Sequence, residues 1–387
     1  MKFKKITATI LTLCLALCSF LVTVSAEPET PQSADKFGLD CRSAILMEAG
    51  TGKVLYEMNA DESLPPASVT KVMTLLLVME AIENGKISLS DTVTASAHAC
   101  SMGGSQIYLK EGEQMSVEEL IKSVVIASAN DAALALAEYV AGTEEAFVEL
   151  MNKRAEQLGL TGTHFENTNG LDDTVQNHVS TARDIAVMSR ELIKHKKITE
   201  YSSIWMDTIR DGAFGLTNTN RLVRFYKGAT GLKTGSTAKA KFCITATAER
   251  EGMSLICVIM AAPTRDIRNA AATSLLDWGF ANYAVYRNEG KVLEPLRVLG
   301  GVSSSCEVEY PEFSCVVNKA DIPNILFEVE TEDTLAAPVK QGEKVGRVVY
   351  RIGETELGTT DITARESIDK IGFGGLLLRM LSKMCMR

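Results

Sequence analysis

The chain has 387 residues, 46% of them hydrophobic and 23% charged, with 49 acidic against 40 basic side chains and a formal net charge of −9. That size and balance fit a globular protein of two domains. They exclude the strongly basic face that nucleic-acid binding needs, so no nucleic-acid partner is expected.

In chain order, Lys2, Lys4 and Lys5 precede an apolar run from Ile6 to about Val24, and Val24-Ser25-Ala26 places small residues before the polar Glu27-Pro28. This is the pattern of a secretory leader cleaved after Ala26. Residues 1–26 are therefore read as a signal peptide, 27–36 as a polar tail, and the protein as exported. Two strands follow, Ser43–Met47 and Lys53–Met58, joined by a turn at Gly50-Thr51-Gly52. Pro65-Pro66 opens a helix from Ala67 to about Asn84 that is apolar nearly all round, the mark of a buried helix. Ser116-Val-Glu-Glu119 reads as a capping box for a helix through Ile126. Further helices are expected over Asp131–Val140, Glu144–Leu158 and Thr181–His195. Strands return at Phe242–Glu249 and Ser254–Met260, and a last helix spans about Arg268–Tyr283. Strand pairs at both ends with helices between them predict an α+β domain over residues 37–286, in which one mainly antiparallel sheet is built from the two ends and packed by helices.

From 291 to 360 the pattern changes to short β-like runs such as Ser305–Tyr310, Ile325–Glu330 and Val345–Arg351, which predicts a second, small all-β domain. Residues 366–387 form a basic amphipathic stretch. Leu377, Met380, Leu381 and Met384 share one helical face, and Arg379, Lys383 and Arg387 recur on another. Such a helix suits a lipid interface and is too short and charged to span one. Seven cysteines remain after the leader, with no zinc-like spacing. Most are read as buried free thiols, although Cys306 and Cys315 could pair across a hairpin.

Four sites match Ser-x-x-Lys, at Ser33, Ser68, Ser236 and Ser367. Only Ser68 stands at the start of a buried helix, with Lys71 one turn on and on the same face. The helix N-terminus directs free N–H groups and a positive field at Ser68, which favours a nucleophilic hydroxyl and the oxyanion it generates. A buried lysine gives up its charge readily, so Lys71 can take the hydroxyl proton. Ser128-Ala129-Asn130 lies in a break between two helices. Lys233-Thr234-Gly235 lies just before the Phe242 strand. His178 does not complete a Ser-His-Asp triad, because a Ser-Lys pair needs no histidine. It is read as packing the loop before the Thr181 helix, with Asp184 as a capping partner and Glu166 as a solvated loop residue.

The ordered set Ser68-Val-Thr-Lys71, Ser128-Ala-Asn130 and Lys233-Thr-Gly235 resembles the three motifs of penicillin-binding proteins and serine β-lactamases. The stretches around it, PPASVTKVMT (65–74), GGSQIYLKEGE (103–113), NTNGL (167–171), HVSTARD (178–184) and GLKTGSTAKAKFC (231–243), are similar to those of the low-molecular-mass D-Ala-D-Ala carboxypeptidases. The resemblance implies a β-lactamase/transpeptidase-like fold and an acyl-enzyme on Ser68, with Lys71 as base and Ser128 passing the proton to the leaving amine. It further implies that Asn130, Lys233, Thr234, Ser236 and Arg268 bind the substrate, with Arg265 the near competitor of Arg268. No metal or cofactor is implied. The implied partners are peptidoglycan stem peptides, β-lactam antibiotics as covalent inhibitors, and the outer face of the cytoplasmic membrane through the terminal helix. Ala240-Lys241 departs from the Ala-Gly usual there. An endopeptidase that cuts cross-links shares every motif. A β-lactamase usually lacks the second domain and terminal helix, and the intact motifs weigh against a non-catalytic wall-binding protein.

Overall fold

The structure is a computed structural model that describes residues 37–173 and 175–385. The expected leader, the tail and Arg387 lie outside them. Five strands, β1 (Ser43–Glu48), β2 (Val54–Met58), β3 (Ala229–Thr237), β4 (Lys241–Arg250) and β5 (Met253–Ala262), form one sheet in the order β2-β1-β5-β4-β3. Every neighbouring pair is antiparallel. The two ends of the domain thus meet at β1 and β5, as expected.

Alternation along the strands decides what each face covers. Ile45 and Met47 join the main core with Ile256, Val258 and Met260. The intervening Leu46 lies on the other face, so close to Gly279 that a Cβ there would stand 2.8 Å from Leu46 Cδ2. The longer helices of the domain are α1 (Lys71–Glu83), α2 (Val117–Ile126), α3 (Asn130–Ala141), α4 (Glu144–Gln157), α5 (Ala182–Leu192) and α6 (Arg265–Asn282). Gly279 belongs to α6, which covers that second face. On the main-core side, α1 buries Val72, Met73, Leu75, Leu76, Val78 and Met79, as a helix apolar all round must. In α3, a run of buried alanines lets the neighbouring helices approach closely.

Capping sets the helix starts. Ser116 and Glu119 make the expected reciprocal capping box of α2, and Thr264 caps α6 through the N–H of Ile267, three residues ahead of the expected start. Ala67–Thr70 is a 3-10 turn, with α1 beginning only at Lys71. The cause is Ala67, whose φ of +49° lies in the left-handed region and cannot belong to an α-helix. Lys241 has a φ of +59° and is exposed, so the usual glycine avoids a cost of about 1 kcal/mol that lysine carries here. Pairing of Lys241 with Thr237 nevertheless keeps the hairpin intact.

The strand β6 (Tyr283–Asn288) follows α6 directly and pairs with β7 (Phe313–Asn318), so β structure begins before residue 291. A further sheet of the second domain includes β8 (Ile325–Thr331), β9 (Lys344–Ile352) and β10 (Thr355–Ala364), paired in that order. Its core holds Val308, Tyr310, Val348, Tyr350 and Ile362. Bridges Val339–Ile368 and Gly301–Lys370 tie the chain to this domain beyond residue 366. The terminal helix α7 therefore starts only at Phe373 and runs to Cys385. Cys306 and Cys315 are both free thiols.

Candidate active site

Ser68 sits in the 3-10 turn and Lys71 opens α1, fully buried. Their separation by three residues brings Lys71 Nζ to 2.9 Å from Ser68 Oγ. The amine also donates to Asn130 Oδ1 at 2.5 Å and to the Asn169 carbonyl at 2.9 Å. Burial pushes its pKa well below the usual lysine value, and the charge of Lys233 pushes it the same way, while Asp131 pulls it back up.

The Ser128-Ala129-Asn130 segment spans the break between α2 and α3, and Ser128 has a φ of +64°. Non-glycine residues in this region store about 1–2 kcal/mol each, and Ala67 and Ser128 both carry such strain beside the reacting groups. Asn130 orients Lys71 with its oxygen and donates its amide to the Gly103 carbonyl at 2.7 Å. The next residue, Asp131, is buried and accepts the N–H groups of Ile107 and Leu109. Loop 103–109 is thereby fixed to the start of α3.

Lys233-Thr234-Gly235 lies just before the Phe242 strand, as expected, but on a strand of its own, β3, at the edge of the sheet. Its composition hides it. Threonine and glycine line a cavity there and the lysine stands behind it, so the apolar alternation of a strand is missing. Lys233 Nζ donates to Ser128 Oγ and to the Thr234 carbonyl, both at 2.8 Å. Burial lowers its pKa to about 7, assisted by the Arg268 charge. Gly235 allows the strand to approach the nucleophile, since a Cβ there would stand 2.8 Å from the Ser68 nitrogen.

Thr234 Oγ1 donates to Thr219 Oγ1 at 2.8 Å. Arg268 is buried, donating to the Cys243 carbonyl at 3.3 Å and to Asn269 Oδ1, and burial lowers its pKa to about 10. A cavity of about 430 Å³ has Ser68, Ser128, Thr234, Ser236 and Arg268 on its wall, together with Arg265. Of the eight site residues expected from the sequence, these five share the cavity, and Lys71, Lys233 and Asn130 stand behind it as a hydrogen-bonded group.

Sequence reasoning missed the loop that closes the back of the site. Thr168 accepts Thr74 Oγ1 on its carbonyl at 2.6 Å. Glu144 Oε1 in turn holds the Thr168 N–H at 3.0 Å and its hydroxyl at 2.8 Å. A Cβ on Gly170 would stand 1.9 Å from the Ala67 carbonyl oxygen, so only glycine lets the loop reach the nucleophile turn. The only hint of this in the sequence was the NTNGL stretch. His178 is structural, as expected. It pairs through Nε2 with Thr70 Oγ1 at 2.7 Å, and its Nδ1 accepts the Glu166 N–H at 3.0 Å. Asp184 is a capping partner, as expected, but through its N–H rather than its side chain. The Thr181 side chain caps its N–H, and its carboxylate accepts from Gly162 and Thr163 instead of returning to the helix start. Glu166 is exposed and accepts the N–H groups of Gln176 and Asn177.

A helix-borne serine and lysine facing a lysine on an edge strand, within helices packed on an antiparallel sheet, define the penicillin-binding class of serine acyl-transfer enzyme. A family model described as D-alanyl-D-alanine carboxypeptidase matches residues 29–264, and one described as the C-terminal domain of penicillin-binding protein 5 matches residues 284–370. The chain is 39% identical to the D-alanyl-D-alanine carboxypeptidase DacF of Bacillus subtilis over 98% of both chains. It is 36% identical to DacC of Escherichia coli over 89% of this chain and 88% of that one. Penicillin-binding protein 5 of Haemophilus influenzae superposes with a TM-score of 0.76 at 30% identity, covering 86% of this chain and 98% of the other. Penicillin-binding protein D2 of Listeria monocytogenes, in its ampicillin-bound form, does so with a TM-score of 0.58 at 33% identity, covering 63% and 99%. The chain belongs to the D-alanyl-D-alanine carboxypeptidase family of low-molecular-mass penicillin-binding proteins.

Proposed function

We propose that this carboxypeptidase removes the terminal D-alanine of peptidoglycan pentapeptide stems through an acyl-enzyme on Ser68. The observation that carries the reading is the triply bonded amine of Lys71. As a neutral amine it has two N–H groups, which Asn130 Oδ1 and the Asn169 carbonyl accept. Its lone pair is left for the Ser68 hydroxyl at 2.9 Å. Ser68 Oγ attacks the carbonyl between the two D-alanines as Lys71 takes its proton. Ser128, held by Lys233, relays a proton to the departing amine. The backbone N–H groups of Ser68 and Ser236 receive the oxyanion. Thr234, Ser236 and Arg268 receive the terminal carboxylate, and Lys233 adds positive potential. Asn130 serves by fixing Lys71 and has one amide hydrogen left for the stem. Water then releases the shortened stem, and a β-lactam, which presents a similar carbonyl and carboxylate, acylates the same oxygen.

Fluorescent penicillin and D-alanine release test this reading. Wild type is expected to be labelled covalently and to liberate D-alanine from a pentapeptide stem. Ser68→Ala is expected to lose both while unfolding at the same temperature. Label retained on Ser68→Ala rules out Ser68 as the nucleophile.

The leader pattern and α7 support an exported protein held on the outer face of the cytoplasmic membrane. Phe373, Leu377, Leu378, Met380, Leu381 and Met384 of this helix are exposed, a cost that a lipid interface would remove. Among the described residues no helix is long and apolar enough to cross a membrane, and α7 would lie along the surface.

A further inference from the structure

The two N–H groups that receive the oxyanion come from different parts of the fold. One belongs to Ser68 in the 3-10 turn, the other to Ser236 near the end of the edge strand β3. Such donors stabilise the developing charge only when both are aimed at the place the oxygen will occupy. A misplacement of about 1 Å costs on the order of 10²-fold in rate. At Gly235 the strand packs directly on the nucleophile turn, since a Cβ there would stand 2.8 Å from the Ser68 nitrogen. Beyond that contact β3 pairs on one side only, with β4. Ser236, Ala238 and Lys239 are exposed, and Lys241 closes the hairpin with its positive φ. The Ser236 donor thus stands on the least packed end of the strand.

The loop behind the nucleophile reaches this end of β3. Its residues 169–172 touch four separate pieces of the site in succession. The Asn169 carbonyl accepts from Lys71 at 2.9 Å. Gly170 lies against the carbonyl of Ala67, the residue before Ser68. A Cβ on Gly104 would stand 3.4 Å from Leu171 Cδ2. Asp172 Oδ2 accepts Thr237 Oγ1 at 2.5 Å, and the same hydroxyl oxygen accepts the Ala240 N–H at 2.9 Å. The loop is also braced by its own side chains. Asn167 Oδ1 accepts the N–H groups of Asn169 and Gly170, and Asn167 Nδ2 donates to the Leu171 carbonyl. Asn169 Oδ1 accepts the Leu171 N–H at 2.9 Å. A braced segment with one end on the Ser68 turn and the other on Thr237 sets the spacing of the two donors.

Resting on the acyl-enzyme chemistry above, we propose that Asp172 is a positioning residue for oxyanion stabilisation, holding Thr237 so that the neighbouring Ser236 N–H keeps its place relative to the Ser68 N–H. Asp172 acts through Thr237 and the strand end. Its effect is felt in the tetrahedral states of acylation and of ester hydrolysis, and not in the binding of the intact stem.

The experiment uses the full chain and compares kcat/KM for D-alanine release from a pentapeptide stem with inhibition by a peptide boronic acid. The Ser68 oxygen adds to boron, and the anionic tetrahedral adduct puts a boronate oxygen where the oxyanion would lie. Asp172→Ala and, separately, Thr237→Val are expected to lower kcat/KM about tenfold and to weaken the boronic acid by the same factor. Because both remove one contact, the double variant is expected to do no worse than either. Asp172→Asn, which keeps an acceptor oxygen, is expected to recover most of the rate. Calorimetric binding of the stem, measured in the Ser68→Ala background, is expected to change less than twofold when Asp172→Ala is added. Unchanged kcat/KM in both single variants overturns this inference alone. So does a fall in kcat/KM that leaves boronic acid inhibition unmoved, or one matched by lost stem binding. A wild type that releases no D-alanine overturns the carboxypeptidase reading and this inference together.

Discussion

Two lysines divide the electrostatic work of the site, and each does so by being buried. Lys71 is stripped of water and faces Lys233, so it gives up its proton far below the usual lysine range. Lys233, at about 7, keeps partial charge at neutral pH. Deprotonated Lys71 is the active form, so acylation should rise with pH through its lowered pKa. Charged Lys233 is the active form at the carboxylate end, so substrate affinity should fall as pH rises through about 7. The kcat/KM profile is then bell-shaped. In Lys233→Arg, whose charge persists, the alkaline limb should move upward, and an unmoved limb would assign it elsewhere. His178 makes a separate prediction about stability. Its folded pKa is about 4 against 6.5 when unfolded, chiefly through burial. The folded state therefore binds fewer protons in that interval. Stability is complete above pH 6.5 and declines as pH falls toward 4, by about 3 kcal/mol at most. Chemical denaturation across pH 4–7 should show this slope in wild type and a flatter one in His178→Gln.

At the scale of elements, the site is a junction where α1, α2, α3, β3 and the 166–171 loop each contribute one short edge. The loop depends on α4, because Glu144 in its first turn is the acceptor that fixes Thr168 beside the carbonyl of Asn169. Glu144→Ala should loosen one of the three bonds that orient Lys71. Penicillin acylation is expected to slow about tenfold, near 1.4 kcal/mol, with the acid limb of the pH profile displaced and Glu144→Gln recovering part of the rate. A variant that loses thermal stability but keeps the wild-type acylation profile would make Glu144 merely structural.

Across the whole molecule, the catalytic domain, the β domain and α7 follow one another in chain order. Because α7 begins only after Ile368 and Lys370 have been pinned to the β domain, its removal leaves both domains complete. Truncation before Phe373 should move the protein from the membrane fraction of expressing cells to the soluble one, with D-alanine release from soluble stems changed less than twofold. Truncated protein still sedimenting with membranes would place the attachment in another segment.

Where the signal is local in the chain, the sequence was enough. Apolar runs marked α1, α3 and the β4–β5 hairpin. Ser116 and Glu119 marked the start of α2. The three-residue spacing of Ser68 and Lys71 put them on one face, because helix geometry is fixed by the backbone. The antiparallel sheet joined from both ends and the small β domain were legible for the same reason. What remained hidden depends on groups far apart in sequence. The strand character of Lys233–Gly235 is set by pairing with β4. The Asn169 carbonyl that accepts from Lys71 comes from a distant loop. The glycine at 170 answers to Ala67, and Arg221, Arg265 and Arg268 come to line one cavity only in the folded chain. Local spacing specified which side chain could act, and long-range packing alone decided its protonation, its partners and the size of the cavity in front of it, since desolvation and charge proximity are properties of assembled space.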